Sequence, residues 1–267
     1  MSVYIIDGSV GGVEMHICKL ESPQAVALKA ADLIQDTMEQ KPNCILGLAT
    51  GSTPVATYQE LIKRYKQGKL DFSQVKTFNL DEYYGLSQKH PQSYYTFMQE
   101  TLFKHINLPS ENIHIPLGTP EDIEAYCQEY EQRIINVGGI DLQILGIGNN
   151  GHIGFNEPAH QLEARTHLVR LSEKTIEANA RFFTSKEEVP RYAITMGIRS
   201  ILSAKKILLL ALGKEKAEII RKLTQTGVTP ELPASFLRLH PEVYIIVDKE
   251  AGSGIASEVE EYCPNEK

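Results

Sequence analysis

Residues 145–158 carry the side chains best suited to chemistry. Their sequence, LGIGNNGHIGFNEP, combines His152 and Glu157 with glycines at 146, 148, 151 and 154. Glycines allow sharp turns and let backbone amides approach a ligand closely. The preceding apolar run at 141–145 predicts a buried strand, and ligands of open α/β sheets bind beyond the carboxyl ends of strands. The pattern predicts an active-site loop, whereas a short Gly-x-Gly pair alone would favour a structural turn.

A second candidate site is the sequence LATGSTP at residues 48–54. It follows a predicted strand and precedes a helix that begins with Pro54. Backbone amides at a helix N-terminus, with the hydroxyls of Thr50, Ser52 and Thr53 around Gly51, can bind a phosphate. No lysine follows the glycine at the spacing of a Walker motif, which argues against a nucleotide. An ordinary βα turn capped by threonine is the alternative.

Two adjacent carboxylates and two cations complete the candidate set. Asp81 and Glu82 would point to opposite sides of an extended chain, so at most one faces a ligand. Burial among aromatic residues would raise the pKa of that carboxyl and make it a better general base. Lys216 follows a predicted strand, where its ammonium could reach a bound anion, and Arg181 is a second cation of this kind. Solvated surface charges are the alternative for both pairs.

Composition excludes several classes of protein. The chain has 267 residues, of which 42% are hydrophobic, enough for one α/β domain or two small ones. A net charge of -7 argues against nucleic acid as a partner. The longest apolar run, at 207–212, is too short for a membrane span, and the N-terminus lacks a signal-peptide pattern. Cysteines at 18, 44, 127 and 263 lack metal or redox spacing, so we expect no metal and a reduced cytoplasmic location.

Short apolar runs alternate with helical patterns along the chain. Strands are predicted at 44–48, 75–79, 142–145, 193–196, 207–212 and 243–247. Helices are predicted at 23–40, 54–65, 93–105, 120–136, 172–183 and 214–225. Buried strands without alternation predict an α/β fold with a single doubly wound, mainly parallel sheet and helices on both faces, as in Rossmann-like proteins. No linker divides the chain, so residues 15–267 are expected to form one domain and 1–14 an extension, native or added.

Five motifs, taken in this order, closely resemble the glucosamine-6-phosphate deaminases. They are ATGSTP at 49–54, FNLDEY at 78–83, SYYTFM at 93–98, GHIGFNEP at 151–158 and NARFF at 179–183. The resemblance spans about residues 15–248. It implies that glucosamine 6-phosphate and water give fructose 6-phosphate and ammonia in amino-sugar catabolism, without a metal or an organic cofactor.

The resemblance also implies a role for each matching residue. Asp81 is expected to move a proton between C2 and C1, His152 to open the pyranose ring, and Glu157 to support the histidine. Some family members have aspartate where this chain has Asn150, so Asn150 is expected to assist ring opening with a weaker electrostatic role. The expected phosphate site comprises Thr50, Gly51, Ser52, Thr53, Arg181 and Lys216.

The regulated members of this family differ from the chain in two respects. Their effector-phosphate site has serines and cations where this chain has His160, Gln161, His167 and Val169. The chain also ends soon after Cys263, without the longer tail of the regulated hexamers. We therefore expect no activation by N-acetylglucosamine 6-phosphate, and a monomer or a small homo-oligomer.

Two alternative functions share this architecture. A 6-phosphogluconolactonase has a similar fold and a similar Gly-x-Gly-x-x-Gly-His loop, but the IGFNEP continuation and the Asp81–Glu82 pair favour the deaminase. A sugar-phosphate-sensing domain of a transcription regulator is the alternative that is not an enzyme. The acidic charge and the missing length for a helix-turn-helix domain argue against it.

Overall fold

The computed structural model describes residues 2–8 and 13–255. The strands of this part are β1 (Ser2–Gly8), β2 (Val13–Leu20), β3 (Ile45–Leu48), β4 (Lys76–Asn79), β5 (Asp81–Tyr84), β6 (Ile113–His114), β7 (Leu142–Gly146), β8 (His167–Arg170), β9 (Tyr192–Thr195), β10 (Lys206–Ala211) and β11 (Glu242–Asp248). Its α-helices are α1 (Pro23–Gln40), α2 (Val55–Lys66), α3 (Tyr94–Thr101), α4 (Ile123–Asn136), α5 (Glu173–Asn179), α6 (Ile198–Leu202) and α7 (Ala217–Gln225). None of these helices is long and apolar enough to cross a membrane.

Eight strands form the main sheet in the order β1–β2–β11–β10–β7–β3–β4–β6. All neighbours are parallel except β1 and β2, which form an antiparallel pair from Ser2–Lys19 to Gly8–Val13. The central strands are buried on both faces, and residues 207–211 of β10 are all buried. Such strands have continuous apolar sequences. The predicted doubly wound, mainly parallel α/β fold is confirmed.

The order of the strands reverses between β3 and β7. After β3 the chain adds β4 and β6 on one side, and after β7 it adds β10 and β11 on the other. In open α/β sheets, ligands bind at such a switch point, beyond the carboxyl ends of the strands. The segments at 49–54 and 147–158 leave β3 and β7 at this place, so the two candidate loops are neighbours.

A second sheet was not predicted from the sequence. The strands β5, β9 and β8 form a three-stranded antiparallel sheet in that order. Only Leu80 separates β4 from β5, so the small sheet lies at the carboxyl edge of the main one. A separate apolar cluster, which includes Tyr83, Phe155 and Ile176, packs against it.

The predicted helices form, but several are interrupted or begin later. Ser22 caps α1 by accepting a 3.2 Å hydrogen bond from the Ala25 amide, and Pro23 opens the helix. Asp122 caps α4, so this helix begins at residue 123 and not at 120. The segments predicted as single helices at 93–105, 172–183 and 214–225 each contain a 3₁₀ turn, at 103–105, 180–182 and 214–216.

One buried carboxylate joins three elements at the amino edge of the main sheet. Asp141 accepts hydrogen bonds of 2.7 Å from Lys41 Nζ, 2.7 Å from Lys205 Nζ and 2.8 Å from the Ile45 amide. Burial opposes ionisation of Asp141, but the three hydrogen bonds outweigh it and lower the pKa of the carboxyl. This clamp lies at the end of β7 opposite the candidate site.

Candidate active site

Asp81 lies where the small sheet meets the loop that follows β7. It pairs with Thr195 in the register of β5 and β9, and its side chain is buried, with 6% of its surface exposed. A β carbon added to Gly154 would lie 3.7 Å from Asp81 Oδ2 and 2.9 Å from Thr195 Oγ1. With its φ of +57°, Gly154 therefore brings the backbone of the histidine loop against the carboxylate.

The environment of Asp81 suits a general base. Burial raises the pKa of Asp81 to about 8, and the charge of the adjacent Glu82 adds to the effect. This carboxyl is at its midpoint near pH 8, and a group whose pKa lies near the working pH can both take up and release a proton.

Glu82 is the structural member of the acidic pair. Its carboxylate accepts hydrogen bonds from the backbone amides of Tyr83, at 2.8 Å, and of Tyr94 and Tyr95, both at 2.9 Å. The latter two amides belong to the first turn of α3, whose free donors a carboxylate satisfies well. The two neighbouring side chains thus have separate tasks, because they point to opposite sides of β5.

His152, Asn150 and Glu157 form a hydrogen-bonded chain. His152 Nδ1 lies 2.7 Å from Asn150 Oδ1, and Asn150 Nδ2 donates to Glu157 Oε2 over 2.5 Å. Glu157 Oε2 also lies 3.5 Å from His152 Nδ1. His152 Nδ1 thus faces both Asn150 Oδ1 and Glu157 Oε2, and Asn150 also joins the histidine to the carboxylate that the resemblance implied as its support.

The chain of hydrogen bonds fixes the tautomer of His152. An ionised carboxylate can only accept hydrogen bonds, so the amide nitrogen of Asn150 must face Glu157 and its oxygen must face His152. The oxygen then requires a proton on His152 Nδ1. In the neutral imidazole this leaves a lone pair on Nε2, which is the nitrogen available to act as a base.

Gly148 makes room for the imidazole ring. A β carbon at this position would lie 2.2 Å from His152 Cε1. The backbone of the loop closes on itself beside the ring, since the Gly148 amide donates to His152 O over 2.9 Å and the Gly151 amide donates to Gly148 O over 2.9 Å. Any larger residue at 148 would displace the ring.

Two hydroxyl groups hold the other oxygen of Glu157. Ser172 Oγ donates to Oε1 over 3.2 Å, and Thr175 Oγ1 donates to the same oxygen. Burial opposes the charge on Glu157, but attraction and hydrogen bonding from His152, with the bonds from Thr175 and Asn150, lower the pKa of this carboxyl to about 2. Glu157 is thus ionised throughout the physiological range.

The loop at residues 50–53 has the free donors of an anion site. Its backbone amides at 51–53 make no hydrogen bond to a backbone carbonyl within the described ranges. Gly51 has a φ of +98°, is exposed, and borders open space. Tyr58 of α2 donates to Ala49 O over 2.7 Å and fixes the start of the loop. The amides at the start of α2 therefore remain available for a ligand.

Lys216 is held against the histidine loop, while Arg181 stands apart. Lys216 Nζ donates to Asn149 Oδ1 over 2.6 Å, and burial lowers the pKa of this ammonium. The guanidinium carbon of Arg181 lies 4.7 Å from the centre of the Phe182 ring, and the side chain is exposed. In the described part of the chain, no hydrogen bond joins Arg181 to residues 50–53.

The structure adds residues that sequence reasoning missed. Asn149, Ser172, Thr175 and Thr195 contact the candidate groups, yet they are common polar types without a distinctive spacing. The segment at 172–175 was interpreted only as a helix start, and 15 residues separate Ser172 from Glu157. Among the described residues, no group of three His, Cys, Asp or Glu side chains could hold a metal ion.

Comparisons with known proteins identify the family of the chain. Residues 19–245 match the family described as glucosamine-6-phosphate isomerases/6-phosphogluconolactonase. The chain is 58% identical to a glucosamine-6-phosphate deaminase of Thermoanaerobacter pseudethanolicus, over 88% of this chain and 93% of the relative. It is 55% identical to that of Alkaliphilus oremlandii, over 87% of this chain and 97% of the relative.

Comparison with solved structures identifies the same family. The structure of a monomeric glucosamine-6-phosphate deaminase is 46% identical and superposes with a TM-score of 0.87, covering 89% of this chain and 99% of the other. A 6-phosphogluconolactonase of Thermotoga maritima is 25% identical with a TM-score of 0.69, covering 88% and 99%. The chain therefore belongs to the glucosamine-6-phosphate isomerase/6-phosphogluconolactonase family and, within it, to the glucosamine-6-phosphate deaminases.

Proposed function

We propose that this protein is an enzyme that converts glucosamine 6-phosphate and water into fructose 6-phosphate and ammonia. The observation that carries the proposal is the placement of the buried Asp81 carboxyl against the loop of His152. An isomerising deamination needs acid and base groups at two places on one sugar, and these two groups lie on different elements beside the free amides of residues 51–53.

His152 carries out the opening of the ring in this proposal. The lone pair on Nε2 accepts the proton of the C1 hydroxyl, and the imidazolium returns a proton to the ring oxygen as the C1–O bond of the ring breaks. Asn150 and the ionised Glu157 stabilise the positive charge that forms on the ring. Asn150 contributes through its dipole only, since it cannot ionise.

Asp81 carries out the isomerisation. Its carboxylate removes the proton from C2 of the open aldehyde while the aldehyde oxygen takes up a proton from water, which gives an enolamine. Asp81 then delivers its proton to C1, which leaves an imine at C2. Water then adds to C2 and ammonia departs, so that fructose 6-phosphate remains. A carboxyl with a pKa of about 8 is well matched to a group that takes and returns a proton in one cycle.

The phosphate is anchored by the loop after β3. Backbone amides of residues 51–53 and the hydroxyls of Thr50, Ser52 and Thr53 would surround it, and Lys216 and Arg181 would supply cations. Lys216 is supported by its position beside Asn149. Arg181 would have to turn from its present position over Phe182.

The proposal extends to the setting of the enzyme. We place it in amino-sugar breakdown in the cytoplasm, acting as a monomer or small homo-oligomer on a free sugar phosphate, without metal or organic cofactor. Cys18, Cys44 and Cys127 are free and buried, which fits a reducing compartment. The solved relative with a TM-score of 0.87 is described as monomeric.

The direct test is ammonia release by the purified protein. Glucosamine 6-phosphate should release ammonia, whereas the N-acetylated sugar phosphate should not. Free glucosamine, which lacks the phosphate, should be a much poorer substrate. Hydrolysis of 6-phosphogluconolactone without any ammonia release from the amino sugar would instead establish the lactonase alternative.

A further inference from the structure

Thr175 and Ser172 lie outside the motifs that suggested the function, yet both contact Glu157. Thr175 is buried, with 8% of its surface exposed. Its hydroxyl and that of Ser172 donate to Glu157 Oε1, while Asn150 occupies Oε2. Each oxygen of the carboxylate thus has its own donors, and the donors to Oε1 come from the start of α5, a separate element.

The two hydroxyl groups are arranged so that Thr175 faces the carboxylate. Ser172 Oγ lies 2.9 Å from Thr175 Oγ1 and accepts a 3.1 Å hydrogen bond from the Thr175 amide. Ser172 is therefore mainly the cap of α5, and it aligns the residue three positions later. Thr175 has a branched side chain whose rotamers are restricted, so its hydroxyl has a defined direction.

We infer that Thr175 is a positioning residue for ring opening, acting through Glu157 on Asn150 and His152. This inference rests on the proposed function. The carboxylate can hold the Asn150 amide in the orientation that protonates His152 Nδ1 only if it does not rotate. The hydroxyl of Thr175 makes the shorter of the two bonds to Oε1 and is the main restraint on that rotation, with the 3.2 Å bond from Ser172 beside it. Without the Thr175 hydroxyl, Glu157 could turn away from Asn150. The Asn150 amide could then flip and present its NH₂ group, not its oxygen, to His152 Nδ1.

The isosteric variant Thr175→Val tests this role. It keeps the shape of the side chain and removes the donor, so we expect kcat with glucosamine 6-phosphate to fall roughly tenfold. Binding of the open-chain alcohol made by reducing C1 of glucosamine 6-phosphate should change by less than about twofold, because this inhibitor needs no ring opening. Thr175→Ser, which restores a hydroxyl, should recover most of the activity.

Two further measurements separate positioning from general stability. In a Glu157→Gln background, Thr175→Val should cause almost no additional loss, since the hydroxyl acts through that carboxylate. Thr37→Val removes a comparable helix hydroxyl, one that donates to Leu33 O over 2.8 Å, and should leave kcat unchanged. A Thr175→Val enzyme with wild-type kcat, an equal loss of inhibitor binding, or a full additional loss in the double variant would overturn the inference. Absence of ammonia release by the wild type would instead overturn the proposed function.

Discussion

At the scale of single residues, adjacent side chains of the same chemical type make different contacts. Asp81 and Glu82 are adjacent carboxyls, but one faces the histidine loop and the other satisfies three backbone amides. Asn149 and Asn150 are adjacent amides, and they contact Lys216 and His152 respectively. In both pairs the direction in which the side chain points determines the role.

The pKa of Asp81 leads to a prediction about pH. As a base Asp81 must be ionised, so kcat/KM should rise as the pH passes through about 8 and level off above it. Burial is the larger cause of the raised pKa of Asp81 and remains in Glu82→Gln, but the negative charge that adds to it is removed, so the rise should move to lower pH in this variant. The measurement is the pH profile of kcat/KM for glucosamine 6-phosphate.

Glu121→Gln provides the control for that shift. Glu121 is an exposed carboxyl outside the site, so its removal should leave the profile in place. The amino group of the substrate also titrates, but its contribution is the same for all three enzymes. A rise through the same midpoint in the residual activity of Asp81→Asn would show that Asp81 is not the group that titrates.

At the scale of elements, the sequence indicated the buried parallel strands from β3 onward, and it missed the N-terminal pair β1 and β2 and the small strands of the second sheet. Residues 207–211 form a continuous apolar run. A strand that is buried on both faces of a parallel sheet needs apolar residues at every position, so this run was recognisable as a strand. The strands β5 and β8, with sequences DEYY and HLVR, mix charged and apolar residues. They become strands only because β9 pairs with both, and such pairing depends on tertiary structure.

The candidate site could be predicted only in part from the sequence. Residues that follow strands in a parallel sheet converge on one edge, which is why Asp81, His152 and the loop at 50–53 could be proposed together. The hydrogen-bond chain through Asn150 and the contact of Thr175 with Glu157 could not, because loop conformation sets both. The position of Arg181 over Phe182 likewise depends on a 3₁₀ turn that sequence periodicity does not reveal.

The turn between β10 and α7 carries Lys216, which is proposed to contact the phosphate. Lys216→Ala should raise KM for glucosamine 6-phosphate about tenfold to a hundredfold with a smaller change in kcat, since it removes a charge-assisted contact worth about 1.5–3 kcal/mol. Lys214→Ala removes an exposed lysine from the same turn and should have little effect. The measurement is the steady-state kcat and KM of both variants with glucosamine 6-phosphate. Equal KM values for the two would remove Lys216 from the phosphate site.

At the scale of the whole molecule, stability and chemistry are located at opposite edges of the main sheet. The carboxyl edge holds the candidate site, with the buried Asp81 carboxyl and the histidine loop. The amino edge holds the Asp141 clamp, which joins the segment before β3, the start of β7 and the segment before β10. Substitutions at the two edges should therefore affect different properties.

Asp141→Asn should lower the free energy of unfolding by about 1–3 kcal/mol near neutral pH. Because the pKa of Asp141 is lowered in the folded state, its stabilising effect is present above the ordinary carboxyl pKa of about 4 and is lost as the pH falls below it. The difference between wild type and variant should thus shrink in acid. Urea unfolding near neutral pH and in acid measures it.

The control for the clamp is Glu129→Gln, which breaks an exposed ion pair with Arg133 on α4. Exposed pairs contribute less than about 1 kcal/mol. A loss in Asp141→Asn no larger than that in Glu129→Gln, or one that persists unchanged in acid, would contradict the account of the clamp. Ammonia release by folded Asp141→Asn should match the wild type.

Regulation is a property of the whole molecule. We predict that N-acetylglucosamine 6-phosphate does not activate this enzyme. An open groove of about 810 Å³ beside His160 and Gln161 has Arg199 as the single lysine or arginine in its lining. Allosteric activation requires contacts that favour one global state over another. Initial rates should follow a hyperbola with and without this compound. A sigmoidal curve that it converts to a hyperbola would show that an effector site exists in another form.

The central claim is that Asp81 moves a proton between C2 and C1 of an amino-sugar phosphate. The most direct measurement is the reaction of wild type and Asp81→Asn with glucosamine 6-phosphate in deuterated water, with ammonia release and deuterium in the product recorded together. The account predicts that the wild type releases ammonia and that part of the product carries solvent deuterium at C1, because the proton held by Asp81 exchanges with solvent in some turnovers before it is delivered to C1. It predicts that Asp81→Asn loses both by a factor on the order of a hundred or more while still binding the substrate. Retention of a large share of either signal by the variant would contradict it.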